Sequence, residues 1–420
     1  MSVWSTDFKG CKYALGIDLG TTNSCVAMWR MEHHKAKVFK NFNRQRTFPS
    51  QVAFFGKDWD AAAGELVEKA AAQQAQITQT VLNVKRVMGL EFEDPSVAEE
   101  QEYRSYQFVP AQDEGRASRL QVKLSMNATG NGSAEEKTDS EPGLFYPEEV
   151  SAHILAHAKR IAEERMGQKI TAAVVTIPAY FAHSQRKATR TAAFLAGFEK
   201  VRLLSEPTAG AMAYGLFVAG TKTVLVFDLG GGTLDTSLLS IDEGTVDVLA
   251  THGDSRVGGA DIDKFVLEYV LDEVRTARKI ERAKRTSSAP SKKTSLKDVA
   301  RSLDIETLRK DCEKAKVALS TETSATVPVY PANGPGTLHK TRRAPECTVT
   351  ISRSKLEAMC EPLFKKCIGS IDDCLKQAQK SETEVDEVVL VGGCTRIPSL
   401  RQRYVKARNV FVARLSNLRI

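Results

Sequence analysis

A chain of 420 residues, 26% charged and 42% hydrophobic, with 59 basic and 52 acidic side chains and a formal net charge of +7, has an ordinary globular composition. Collagen-like and low-complexity classes are excluded, and no run reaches the roughly eighteen consecutive apolar residues that a membrane-spanning helix needs. The positive balance invites a nucleic-acid or anionic-membrane reading, but it sits in two places: residues 275–301 hold ten basic side chains against Glu281 and Asp298, and residues 401–420 hold six and no acid. The remainder is net acidic, so neither nucleic acid nor membrane is expected as a partner.

The first twelve residues lack the apolar core of a signal peptide, which points to a cytoplasmic location with a nuclear one as the alternative. Ala14-Leu-Gly-Ile-Asp18-Leu-Gly20-Thr-Thr22 reads as a buried strand running into a glycine turn, with a second strand over Ser24–Trp29. Residues 126–142, rich in Asn, Gly, Ser and Glu, read as a flexible insertion, and the sequons at Asn127 and Asn131 within it as polar loop. Val150, Ile154, Leu155, Ala158, Ile161 and Ala162 recur at helical spacing over Pro147–Arg165. Ala172–Ile177 is a short strand ended by Pro178, and Glu206-Pro207-Thr208 starts a helix over Ala209–Leu216, since proline is tolerated in the first turn.

Farther on, Val224–Leu229 and Thr236–Ile241 read as strands, 284–297 as a second flexible insertion, and Leu308, Cys312, Ala315 and Leu319 as the apolar face of a helix. Eight cysteines without C-x-x-C spacing support neither a zinc ribbon nor a disulfide scaffold. Cys360, Cys367 and Cys374 repeat every seven residues on one helix face and are expected in a core. A last apolar strand, Val388-Val-Leu-Val-Gly392-Gly393, ends in glycines. Strands alternating with helices predict an α/β protein built around sheets.

The strongest organisational signal is an imperfect repeat. Val224-Leu-Val-Phe-Asp228-Leu-Gly230-Gly-Gly-Thr233-Leu-Asp235 repeats the plan around Asp18 after 210 residues, which predicts two related halves, each opening on a strand, Asp, Gly, Thr hairpin. No Walker lysine loop and no kinase H-R-D or D-F-G set occurs. Glycine turns instead offer close backbone approach and N–H donors to an anion, and two facing turns would grip a polyphosphate from both sides. Asp18 and Asp228, one before each turn, are placed to hold water around magnesium. Any one of these hairpins alone reads equally well as a tight turn capped by Asp; the two together with the late V-G-G do not.

G-I-D-L-G-T-T-N-S (Gly16–Ser24), V-V-T-I-P-A-Y-F (Val174–Phe181), S-Q-R (Ser184–Arg186), E-P-T-A-G-A-M-A-Y-G (Glu206–Gly215), F-D-L-G-G-G-T-L-D (Phe227–Asp235), G-D-S-R-V-G-G-A-D-I-D (Gly253–Asp263) and L-V-G-G-C-T-R-I-P (Leu390–Pro398) closely resemble the seventy-kilodalton heat-shock chaperone family. The resemblance runs from about residue 12 to 400. It implies an α/β, two-lobed actin- and hexokinase-like ATPase fold with a central nucleotide cleft, lobe I at about 12–205, lobe II at about 206–385, a return to the cleft at 388–398, and a divergent basic tail at 401–420.

By the same resemblance Asp18 and Asp228 organise hydrated Mg2+, with K+ a second candidate cation. Gly20, Thr21, Thr22, Asn23 and the Gly230-Gly231-Gly232-Thr233 turn hold the phosphates of ATP or ADP. Lys85 reaches the reacting phosphate, and Glu206 and Asp235 are carboxylates near the attacking water. Glu313, Lys316 and Ser320 contact ribose and adenine, with Gly259, Gly392, Gly393, Cys394, Arg396 and Ile397 completing the pocket. Pro178 and Arg186 relay nucleotide state to partners, of which J-domain co-chaperones and nucleotide exchange factors are implied.

Val317 stands where the family stacks an arginine on adenine, Asn23 replaces an aromatic and Cys394 a small hydroxyl residue. After Pro398 the family's N-P-D-E-A-V-A-x-G-A-A segment, linker and substrate-binding domain do not follow, so no peptide-binding domain is expected in this chain. A slow ATPase controlling partner binding in protein folding is the expectation. A catalytically impaired, nucleotide-dependent interaction module is the alternative, and a sugar or acetate kinase of the same superfamily is argued against by the S-Q-R and L-V-G-G-C-T-R-I-P strings.

Overall fold

The computed structural model describes residues 13–30, 35–55, 58–67, 77–101, 106–111, 119–124, 142–213, 220–243, 245–285, 295–332 and 344–408, with isolated residues between. Nearly all of the 126–142 insertion, most of the 284–297 insertion, Tyr214 and Gly215, and residues 409–420 of the tail lie outside the described residues. No helix among the described residues is long and apolar enough to cross a membrane.

The chain opens with β1 (Ala14–Asp18), β2 (Asn23–Arg30), β3 (Lys35–Val38) and β4 (Phe48–Pro49). Two small three-stranded sheets follow, from β5 (Gln51–Phe55), β6 (Asp60–Ala63) and β7 (Ile77–Leu82), and from β8 (Gln107–Pro110), β9 (Leu120–Leu124) and β10 (Gly143–Phe145). The first large sheet is completed by β11 (Ala172–Ile177) and β12 (Lys200–Ser205), in the order β12-β11-β1-β2-β3 with β4 on β2. In the second, β13 (Lys222–Leu229), β14 (Leu234–Asp242), β15 (Thr245–Asp254) and β18 (Glu387–Val391) run in the order β15-β14-β13-β18, while β16 (Ser324–Val329) and β17 (Cys347–Ser352) make a separate ribbon.

The predicted repeat is a repeat of topology. β1 is antiparallel to β2 and parallel to β11; β13 is antiparallel to β14 and parallel to β18. The late V-G-G strand is thus the counterpart of Ala172–Ile177. Register matches too: Asp18 pairs with Cys25 and Asp228 with Asp235, the same seven-residue step.

Each half has its own core. One gathers Leu15, Ile17, Val26, Ile154, Leu155 and Val175, and the other Phe227, Leu238, Val266, Val270, Phe364 and Ile371. The helix Pro147–Met166 buries every apolar position that marked it, opens with Pro147, Glu148 and Glu149 at its positive end, and stops at Gly167 with φ 68°. Inside the first half, Glu65 and His157 form a buried pair at 2.9 Å; Phe42 N–H donates to the other Glu65 oxygen at 2.7 Å and Arg160 faces His157 Nδ1 at 3.3 Å. Cys360, Cys367 and Cys374 are buried and unbridged, Cys360 at the N-cap of the helix Glu361–Gln377 that carries the other two.

Both basic segments are partly helical where they are described. The helix Gly259–Arg285 runs into the first, because Ile262, Val266, Leu267, Val270, Leu271 and Val274 bury one face while Lys279 and Lys284 stay exposed. Arg278 there grips Glu346 with two bonds of 2.8 Å, and Ser295 caps the next helix, Leu296–Arg301. The tail begins as a helix, Pro398–Arg408, whose Leu400 is fully buried and whose Arg403 pairs with Glu361.

Candidate functional site

The two glycine and threonine hairpins meet face to face. A Cβ built on Gly231 would lie 2.1 Å from Thr22 Oγ1, and one on Gly232 would lie 2.5 Å from Thr21 Oγ1, so only glycine allows this approach. Ser50 N–H donates to Thr22 O at 2.8 Å and steadies the first hairpin from behind. Gly20 has its own turn's Asn23 carbonyl where a Cβ would go, while Asn23 itself is exposed at the start of β2. In the second hairpin Gly230 N–H closes on Thr233 O at 3.0 Å, and Thr233 is buried.

Lys85 reaches this junction from a short turn, Val84–Val87, bracketed by Asn83 at φ 56° and Gly89 at φ 67°. Its Nζ donates to Glu206 Oε1 at 2.6 Å, with the side chains 6% and 11% exposed. Burial would lower the Lys85 pKa, but the charges of Glu206 and Asp18 hold it above its ordinary value. Around it the carboxylates crowd: burial, then Glu206, pushes Asp235 up to about 8. Burial and the charges of Glu206 and Asp235 raise Asp228 well above the ordinary range, and burial also raises Glu206. Neither Asp235 oxygen has a hydrogen-bond partner among the described residues. Asp18 accepts from Thr176 Oγ1 at 2.9 Å. Among the described residues no group of three or more His, Cys, Asp or Glu side chains is arranged to bind a metal directly.

The residues that the resemblance assigns to ribose and adenine are gathered less tightly. Lys316 is buried and donates to Asp263 at 2.9 Å and to Gly259 O at 3.3 Å; Cys394 Sγ and Lys316 Nζ both stand about where a Gly259 Cβ would contact them, at 3.0 and 3.1 Å. Glu313 is half-buried on the same helix, Ile305–Ala318, but Ser320 falls beyond its end, in a turn whose Ser320 N–H donates to Val317 O. Val317 is 61% exposed. Gly392 has φ 83°, and Leu229 O and Asp228 Oδ1 fill the space a side chain would need, so only glycine fits there. Gly393 and Arg396 are exposed in the following turn, and Ile397 is buried in the second core.

Pro178 ends β11, and Arg186 donates to Phe181 O and Ala179 O, at 2.8 Å each, tying down the loop that follows it. Ala179 lies close enough to Asp235 to temper its raised pKa. Three groups carry contacts here that the sequence reading did not assign. Arg86, next to Lys85, donates to Gly232 O at 3.1 and 2.7 Å and to Asp261 at 3.1 and 2.5 Å, and Asp263 holds Lys316. Asp261 and Asp263 lie within the G-G-A-D-I-D string, and Arg86 directly follows Lys85; nothing else in the sequence marks them.

A family model described as Hsp70 protein matches residues 14–410, ten residues into the segment read as a divergent tail. The chaperone protein DnaK of Thermus thermophilus is 36% identical over 395 residues, covering 93% of this chain and 56% of its own length; the DnaK of a second strain of the same organism gives the same values. The chain spans about half the length of these curated relatives. With the strand, Asp, Gly, Thr hairpins meeting in register and the match running almost end to end, the chain belongs to the Hsp70 protein family.

Proposed function

We propose that residues 12–400 are an ATP-binding, slowly ATP-hydrolysing domain of the actin- and hexokinase-like kind, with lobe I at about 12–205, lobe II at about 206–385 and a return to the cleft at 388–398. Two separate cores built on repeated topology support the two lobes. The observation that carries the function is the hairpin register, Thr21 and Thr22 against Gly232 and Gly231, beside the Lys85–Glu206 pair.

The donor set fits a hydrated divalent cation: Asp228 feels the charge of Asp18 on one side and pairs in register with Asp235 on the other, and the two buried oxygens of Asp235 have no partner among the described residues. Mg2+ bound there, through water, would neutralise phosphate charge; K+ is the second cation proposed. Thr21, Thr22 and the Gly230–Thr233 turn bind the phosphate chain through hydroxyls and amides. Lys85 donates to the oxygens that gain charge as water attacks the γ-phosphate, forming one P–O bond while the bond to the ADP oxygen breaks. Glu206 or Asp235 orients that water and accepts its one proton. Glu313, Lys316, Ser320 and Cys394 border the nucleoside, and Pro178 with Arg186 carries the change at Asp235 outward through Ala179. Control of J-domain co-chaperones and exchange factors, and through them of protein folding, is the proposed biological role.

Calorimetric titration with MgADP and with MgATP tests the reading. Saturable binding at one site is expected; absence of heat together with absence of thermal stabilisation at saturating nucleotide would overturn it.

A further inference from the structure

In a trans peptide the carbonyl and the N–H that follows it point in opposite directions. The phosphate-side turn of the second half has three consecutive carbonyls all engaged. Gly230 O accepts from Gly259 N–H at 3.0 Å and Gly231 O from Ala260 N–H at 2.7 Å. Gly232 O accepts from Arg86 Nε and Nη2 at 3.1 and 2.7 Å. The amides of Gly231, Gly232 and Thr233 are thereby turned away from those donors, the arrangement that makes an anion-binding nest.

The three anchors differ in origin. Two are the orphan amides at the start of the helix Gly259–Arg285, which belongs to the same half as the turn. The third comes from the other half. Arg86 is 9% exposed and is braced by Asp261 at 3.1 and 2.5 Å and by Glu100 at 3.4 Å, which is itself paired with Arg104. A guanidinium can hold a carbonyl and a carboxylate at once because its donors form a rigid fork.

We propose that Arg86 is a positioning residue that aligns the Thr233 N–H in the phosphate-binding turn only when the two halves are closed on each other, so that closure and completion of the turn are one event. This rests on the nucleotide reading above. Opening the cleft withdraws Arg86, frees the Gly232 carbonyl and loosens the one amide that the second half does not hold by itself. The aligned amide acts on charge developing in the transferring phosphoryl group.

Two measurements test it. In single-turnover ATP hydrolysis, Arg86→Ala is expected to lose about 10- to 100-fold, less than outright removal of a donor. Its MgADP affinity should fall by less than about 3-fold, and Arg86→Lys should recover part of the rate, since one ammonium can still reach Gly232 O but cannot bridge to Asp261. Arg256→Ala is the control. It removes an exposed ion pair to Glu99 that also crosses between the halves, at 3.2 Å, and should leave both quantities unchanged. In nucleotide-free protein, hydrogen exchange of a peptide spanning 228–236 should rise in Arg86→Ala and not in Arg256→Ala. Unchanged exchange and unchanged hydrolysis would overturn the proposal. So would equal losses in MgADP affinity and rate with faster exchange across both sheets, which marks a merely structural role. If the parent protein binds no nucleotide, the ATPase reading falls, while the exchange comparison still decides whether Arg86 holds the turn.

Discussion

Gly231 and Thr22 stand so close across the two hairpins that a Cβ on residue 231 would lie 2.1 Å from Thr22 Oγ1 and 2.6 Å from Thr22 Cβ. Two elements more than two hundred residues apart in sequence therefore share one van der Waals surface, at the place where a polyphosphate would be gripped. Gly231→Ala must push the hairpins apart, and overpacking of this kind costs about 1–3 kcal/mol. Thermal unfolding should show that loss and MgADP titration a weakened affinity; a variant unchanged in both would mean that the hairpins do not meet in this register.

Glu65 is a second point of test, remote from the cleft. Burial would raise its pKa, but the bonds from His157 and from the Phe42 N–H outweigh burial and hold it below the ordinary carboxylate value. A lowered native pKa contributes stability that is present above the unfolded value, about 4.3, and is lost as pH falls through the native one. Glu65→Gln should therefore destabilise by about 1–3 kcal/mol at pH 7. The gap to the parent protein should narrow below about pH 4. Chemical denaturation at both pH values checks this, and an equal gap at each would contradict it.

Gly369 lies inside the helix Glu361–Gln377, and a Cβ added there meets nothing within 4 Å. Glycine in a helix interior costs roughly 0.5–1 kcal/mol relative to alanine. Gly369→Ala should raise stability by about that amount in urea denaturation, with nucleotide binding unchanged. A loss of stability would show that the space beside residue 369 is filled.

The elements legible in the sequence were those whose pattern is local. Ala14–Asp18 and Lys222–Leu229 announced themselves as apolar runs ending in Asp and Gly, and Pro147–Met166 as apolar residues three and four apart. Lys85 and Glu206 came from the resemblance, and the structure joins them at 2.6 Å across 121 residues. Arg86 and Asp261, 175 residues apart, have no local signature, since a long-range ion pair leaves no periodicity to read. Charge alone says nothing about the local structure of the basic stretch from residue 275; the buried face from Ile262 to Val274 is what carries the helix on to Arg285. Ser320 lies two residues past the end of the helix Ile305–Ala318, because the apolar spacing that marks the helix does not fix the residue at which it stops. At the start of the basic tail, the fully buried Leu400 and the Arg403–Glu361 pair seat the helix Pro398–Arg408 on the second core.

The central claim is that the junction of the hairpins with Lys85 hydrolyses ATP. It is tested most directly by single-turnover hydrolysis of MgATP by the parent protein and by Lys85→Ala, each shown first to bind nucleotide. A slow turnover in the parent that falls by at least about 100-fold in Lys85→Ala, with MgADP still bound, is the expected result, in line with loss of a charge-stabilising donor. Equal rates in the two proteins would contradict the account.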